Sequence, residues 1–338
     1  MQPLSYARAN DVDSAITLVA GDPGSGFLAG GTTKLDLLRL GVEHTDRLID
    51  INDLPLTAVE EFADGTIRIG ALARMSDVAR TSIIKERFPA VSEALLLGAS
   101  EQLRNMASMG GNLCQRVRCT YFRDGVSPCN KREPGTGCSA LEGLNRGHAI
   151  LGVSESCIAT HPSDVAVPFV AFDAVVHTAG PHGERTIPID EFYLLPGDTP
   201  QVEHPLAHGE LITAIHLPPS SLAAGSLYLK FRDRQSYEFA LVSVCAALTV
   251  EDGVASDARV ALGGVGTTPW RARRAEAELL GAAAYARLLR LLQRHLLKMQ
   301  GRFSHLDSSL VSTTSEPCAY SMHTYKNICT LRQAQVIL

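Results

Sequence analysis

No apolar run in the 338-residue chain reaches the length of about 18 residues that a bilayer crossing requires. The densest late stretch, Leu288 to Leu297, is interrupted by Arg290, Arg294 and His295, so no membrane span is expected. A basic excess is missing as well. With 31 Lys and Arg against 36 Asp and Glu, the formal net charge is −5, which argues against a function that holds nucleic acid through its phosphates. The opening residues, Met1-Gln2-Pro3-Leu4-Ser5-Tyr6, lack both a basic start and an apolar core of a signal peptide. By its own sequence the chain is therefore expected in the cytoplasm, and in the periplasm only by co-export with a signal-bearing partner.

What is present is an ordinary globular composition, 45% apolar and 20% charged, long enough for about two domains. Eight cysteines stand out, because without an export signal the default compartment is reducing and disulfides do not persist there. Five of them, Cys114, Cys119, Cys129, Cys138 and Cys157, crowd into one stretch, whereas Cys245, Cys318 and Cys329 are scattered.

The pattern of apolar residues and turn signals predicts small βα units at the start: a strand over 26–29, a helix over 34–40 ending at Gly41, and a strand over 47–51. A hairpin is expected over 58–70 around Asp64-Gly65, then short helices at 76–81 and 90–97. From Gly110 to Thr160 periodicity fades, and a stretch of that length inside a compact domain needs a cause such as a bound inorganic centre. A helix over 163–172, a strand pair over 175–178 and 185–189, and a strand over 211–217 follow. Pro218-Pro219 marks a boundary. Beyond it, strands at 227–231, 240–250 and 259–263 suggest an antiparallel meander, and a helix is expected from Arg273 to about Lys298.

Two segments combine paired glycines with hydrogen-bonding side chains. Gly30-Gly31-Thr32-Thr33 lies between a strand and a helix start, where main-chain N–H groups suit a phosphate, although the same residues also suit a plain βα turn. The loop is neither the dinucleotide fingerprint nor a Walker loop. Ser108-Met109-Gly110-Gly111-Asn112-Leu113 is a second segment of this type, and the two together could hold both ends of a pyrophosphate. Cys119, Cys129, Cys138 and Cys157 are separated by 9, 8 and 18 residues, spacings unlike zinc knuckles but compatible with an iron–sulfur cubane; spacing alone also leaves inert thiols open. Around them Arg116, Arg118, Arg123, Lys131, Arg132 and Arg146 outnumber Asp124, Glu133 and Glu142, a surplus that would offset a cluster's negative charge. Taken singly, Asp164 reads as a helix cap and Lys230 as a solvated strand residue.

At these residues, from about Pro3 to Ala277, the sequence resembles the FAD-binding subunits of the molybdenum hydroxylase (xanthine dehydrogenase) family. Phe27 to Asp36 looks like the family's first flavin pyrophosphate loop and Ser108 to Leu113 like its second. The cysteine-bearing insertion is similar to that of a branch of aldehyde oxidoreductases with an extra [4Fe–4S] cluster; 4-hydroxybenzoyl-CoA reductase is a more distant relative. The resemblance implies that Leu28, Ala29, Gly30, Gly31, Thr32, Thr33, Lys34, Ser108, Gly110 and Gly111 bind the FAD diphosphate. It implies that Asp164 hydrogen-bonds the ribityl or flavin region, that Lys230 lies near the isoalloxazine and that Ile212 contacts FAD through its main chain. Cys119, Cys129, Cys138 and Cys157 would ligate the cluster, with Cys114 a bystander.

The implied fold is α+β: a two-part flavin domain (an α/β subdomain plus an α+β subdomain) over 1–218 with the insertion at about 112–160, then a small C-terminal domain over 222–300 with a three-stranded antiparallel sheet and helices. The chain shows no molybdopterin-binding pattern and no second cysteine set for a [2Fe–2S] domain. Substrate oxidation would therefore occur on a molybdenum-cofactor subunit, with electrons passing through a [2Fe–2S] subunit to this FAD and then to an external acceptor. The alternatives are a stand-alone flavin oxidase, the FAD subunit of an aromatic acyl-CoA reductase and a cysteine-rich metal-binding module. From about Gly281 the likeness stops, and residues 301–338 are unpatterned; a frameshifted or misjoined reading frame would produce such a tail, which reading the other frames of the coding DNA tests.

Overall fold

Parallel pairing opens the fold, in a computed structural model that describes residues 3–281. Strands β1 (Ser5–Arg8), β2 (Ser25–Leu28) and β3 (Arg47–Asp50) form a sheet of order β1-β3-β2. Parallel neighbours need crossovers, and helices α1 (Val12–Ala20) and α2 (Lys34–Leu40) supply them. Asp11 caps α1 through a reciprocal box with Ser14, and Gly41 ends α2 in the left-handed region at φ 71°. Ala15, Ile16 and Val19 pack on Ile49 and Ile51.

A five-stranded antiparallel sheet of order β4-β5-β8-β6-β7 follows: β4 (Val59–Glu61), β5 (Ile67–Gly70), β6 (Val175–Gly180), β7 (Gly183–Pro188) and β8 (Leu211–Leu217). Between β5 and β6 lie α3 (Met75–Arg80), α4 (Ser82–Arg87), α5 (Pro89–Leu97), α6 (Glu101–Met106), α7 (Met109–Leu113), α8 (Thr120–Arg123) and α9 (Ala166–Ala171), and α10 (Ile189–Phe192) follows β7. Ile67, Ile69, Val176 and Ile215 from the sheet share one core with Phe88, Leu95, Met109 and Phe169 from the helices. The β6–β8 register shifts between His177 and Thr178, and the irregularity falls beside Ile212.

The last sheet is antiparallel, of order β12-β11-β10-β9: β9 (Leu227–Phe231), β10 (Val242–Glu251), β11 (Val254–Gly263) and β12 (Trp270–Arg271). The expected three strands are all there, and the two-residue β12, too short for a periodic signal, makes a fourth. Helix α11 (Arg273–Leu279) is described; its expected continuation to Lys298 and the tail 301–338 lie outside the described residues. Chain contacts separate a main unit, Met1–Thr249 with Asp257–Ala277, from a second that includes Val250–Ser256 and begins again at Glu278. Every site residue discussed below lies in the main unit.

Short helices account for most of what periodicity misses. Helix α7 covers the second glycine pair, where a loop was expected, because Ser108 caps it by accepting from the Gly111 N–H at 3.2 Å. The stretch 112–160 is as irregular as expected, carrying only the end of α7, the four-residue α8 and isolated bridges such as Cys129 with Cys138.

Candidate functional site

The first glycine loop leaves its main-chain N–H groups free. No acceptor among the described residues takes the N–H of Gly30, Gly31, Thr32 or Thr33. The loop is pressed against the α6–α7 connection: a Cβ added at Gly30 would lie 1.9 Å from the Met106 carbonyl oxygen. Two unpredicted residues stitch the loops together. Arg74 donates to Met106 O (2.6 Å) and Asn52 Oδ1 (2.9 Å), and Asn52 donates to Ala29 O (3.0 Å). The second loop works differently, because the Gly110 N–H already donates to Ala71 O at 2.8 Å. Gly110 allows close approach, since a Cβ added there would press on Ala71 and touch Ile212.

Around the loops runs a cleft of about 1470 Å³ lined by Ala29 to Lys34, Ser108, Gly110, Gly111 and Ile212. A chamber of about 880 Å³ shares Thr32, Thr33 and Gly111 with it and continues past Asp164 and Lys230. Every residue expected at the flavin lines one or the other except Leu28, which ends β2. Asn112, Arg118, Tyr237 and Phe239 line the chamber without having been read as site residues. A chamber wall built from segments far apart in the sequence leaves no local signal.

Two single-residue readings are corrected here. Lys230 is not a solvated strand residue: its side chain is 1% exposed, and Nζ donates to Asp164 Oδ2 (2.8 Å) and Leu97 O (3.1 Å). Nor does the Asp164 carboxylate cap a helix. Ser163 receives the Ala166 N–H at 3.2 Å, while Asp164 turns inward to Lys230 and to the Tyr228 hydroxyl (2.6 Å). Burial and the Asp164 charge push the Tyr228 phenol well above its ordinary value, so it stays a donor.

Cys119, Cys129, Cys138 and Cys157 line one small pocket. Asn130 organises it: Oδ1 accepts from Gly135 (3.1 Å) and Gly137 (2.8 Å), and Nδ2 donates to Ser156 O (3.2 Å), next to Cys157. Among the described residues no three His, Cys, Asp or Glu side chains are gathered for a single metal ion. Cys114 lies outside the pocket, and burial, with Glu203, pushes its thiol up to about 12. Burial also raises Cys119 to about 11 and raises Cys157, so a metal centre would have to draw those protons off.

Residues 2–220 match the FAD binding domain in molybdopterin dehydrogenase, and residues 227–300 match the CO dehydrogenase flavoprotein C-terminal domain. The chain belongs to the FAD-binding subunits of the molybdenum hydroxylases. It is 50% identical over 280 residues to the aldehyde oxidoreductase FAD-binding subunit of Escherichia coli, covering 82% of this chain and 86% of that one. It is 26% identical to the glyceraldehyde dehydrogenase medium chain of Sulfolobus acidocaldarius, over 82% of this chain and 81% of the relative. Among solved structures, the carbon monoxide dehydrogenase of Hydrogenophaga pseudoflava superposes with a TM-score of 0.62 at 26% identity, over 83% of this chain and 82% of that one.

In this FAD-binding subunit most cations of the insertion are paired and do not form the free surplus their count suggested. Arg116 pairs with Glu43 (2.9 Å) and with Glu203, Lys131 with Glu203 (2.9 Å), Arg123 with Asp36, and Arg146 with Asp233 (2.9 Å). The acids come from outside the insertion, so charge pairing docks it. Since Lys34 also reaches Glu43 (3.3 Å), alternating charges run from the first glycine loop to the cysteine pocket. No helix among the described residues is long and apolar enough to cross a membrane.

At the rim of the cleft, Glu210 accepts from Arg185 (2.6 and 2.8 Å), Thr178 (2.6 Å) and the Ala207 N–H (2.8 Å). Burial would raise its carboxyl, but these donors outweigh burial and hold it at about 2. The folded state therefore binds this proton more weakly than the unfolded one, and the stabilisation is present above the unfolded value near 4.5 and lost as pH falls from there toward 2. Replacing Glu210 by Gln should cost about 2 kcal/mol at pH 7, after allowance for the half-exposed Arg185, and almost nothing at pH 2. Urea titrations at the two pH values measure the difference.

Proposed function

We propose that the chain carries FAD and a [4Fe–4S] cluster as the electron-outlet subunit of a molybdenum-dependent aldehyde oxidoreductase, receiving electrons from partner molybdenum and [2Fe–2S] centres and delivering them to an external acceptor. The continuous groove across both glycine loops carries the flavin half of this reading. Its residues fit the group: unpaired amides over Gly30 to Thr33 suit a diphosphate, and the chamber beyond suits the ring. Bound flavin would exchange electrons in pairs or singly, while the protein positions and tunes it. The free amides over Gly30 to Thr33 would hold the diphosphate, Lys34 would add a positive charge beside it, and Asp164 with Lys230 would line the chamber that takes the ring.

Convergence of four sequence-distant thiols on one pocket supports the cluster. The 50% identity to an aldehyde oxidoreductase subunit supports the substrate class over an acyl-CoA reductase.

Co-expressing the chain with its neighbours and recording the visible spectrum of the purified complex tests it. Flavin bands with a broad iron–sulfur shoulder are expected; a colourless preparation overturns the proposal, and flavin without iron on this chain leaves only its flavin half. Within that complex, Gly30→Ala should weaken FAD retention about tenfold, since relieving the clash with Met106 costs on the order of 1–3 kcal/mol. Released flavin per complex after dilution and filtration measures it.

A further inference from the structure

We propose that Arg118 is the cation facing the ring end of the flavin, and that it binds the anionic, two-electron-reduced ring more tightly than the oxidised one. The inference rests on the flavin reading above and adds a residue and a direction to it. Reduction takes two electrons and one proton and leaves the ring with one negative charge, whether an iron–sulfur partner or titanium(III) citrate supplies the electrons. A cation that meets that charge in a site shielded from water favours the reduced form.

Charge accounting in the chamber singles out Arg118. Lys230 is committed to Asp164 at 2.8 Å, and Glu238 answers Arg234 at 3.6 Å. Asp36 is the sole carboxylate within ion-pair distance of Arg118 among the described residues, at 3.6 Å, and Arg123 holds the same oxygen more closely. Two guanidinium groups thus share one carboxylate, and one positive charge is left over. The Arg118 guanidinium carbon sits 5.0 Å over the Phe239 ring, which orients it without neutralising it. Its Nε is buried and has no acceptor. A buried N–H without a partner is costly unless a ligand completes it, and an arginine lining the chamber with that N–H open has a donor to offer an anion. Burial and Arg123 lower its pKa, but a guanidinium starts so high that it stays charged. The other titratable groups along the chamber are Asp164, Lys230, Tyr237 and Glu238.

Redox titration of the purified complex tests the proposal, with released FAD counted in every preparation. Arg118→Gln should lower the two-electron midpoint of the flavin by about 30 mV, a tenfold loss in preference for the reduced form. Arg118→Lys should stay near wild type, and Asp36→Asn, which frees a second guanidinium, should shift the midpoint upward. The reduced ring should also take up its second proton at a higher pH in Arg118→Gln than in wild type. With FAD bound, an unchanged midpoint in both Arg118→Gln and Asp36→Asn, or a shift of the same sign in both, overturns the role of Arg118. If Arg118→Gln does not fold, Asp36→Asn alone decides by its sign. Absence of FAD from the wild-type complex overturns the flavin reading itself.

Discussion

On the proposed ligand set, replacing Cys129 by Ser should strip most of the iron from this chain in the purified complex, to below about a quarter of the wild-type content, because a cubane held by four thiolates would lose a corner. The protein around it should loosen too. Residues 112–160 have little regular structure to hold them, and the free energy of binding a metal centre is folding free energy where the site organises the chain. Cys114→Ala is the informative contrast: that thiol lies only fifteen residues earlier in the sequence but outside the pocket, so iron should stay at the wild-type level. Iron assay and the absorbance shoulder beyond the flavin bands read both variants. Full iron in Cys129→Ser, or equal loss in both, would remove the proposed ligand set.

The second large effect is expected at Lys230. Lys230→Met keeps the stem but leaves Asp164, 9% exposed, as a buried carboxylate with the Tyr228 hydroxyl as its remaining side-chain donor. Breaking a buried ion pair from one side costs about 3–5 kcal/mol, which in a chain of this size lowers Tm by roughly 10 °C. Removing both charges, as Lys230→Met with Asp164→Leu, should recover much of that loss, since two buried charges together contribute little net stability. Calorimetry of the three forms gives the comparison. A single variant as stable as wild type would show that water reaches Asp164 and that the chamber floor is not dry.

The corrected readings share a cause. Lys230 alternates on a strand, and alternation alone says a charged residue there faces solvent; the strand instead packs against α5, and Leu97 and Asp164 supply the partners. Asp164 stands two residues before α9, close to where a cap is common, but it is the Ser163 hydroxyl next to it that accepts the N–H of Ala166, the first residue of α9. Most basic residues of the insertion count as a surplus only while their acids, Asp36, Glu43, Glu203 and Asp233, are far away in sequence. Folding brings them within 4 Å.

Local physics was enough for much of the rest. Paired glycines before a helix, a hairpin turn at Asp64-Gly65, an apolar run in β8 and four cysteines in an aperiodic stretch are all features of neighbouring residues, and each appears where composition and spacing put it. Convergence is of another kind. That Gly30 touches Met106, that Asn52 and Arg74 clamp the two loops, that Arg118 reaches the chamber from the cysteine segment, and that Cys157 lines the same pocket as Cys119 depend on packing between residues tens of positions apart. Periodicity reports which side of an element is apolar; only packing decides which two elements share that side, because close-packed interiors choose partners by shape and charge rather than by order along the chain.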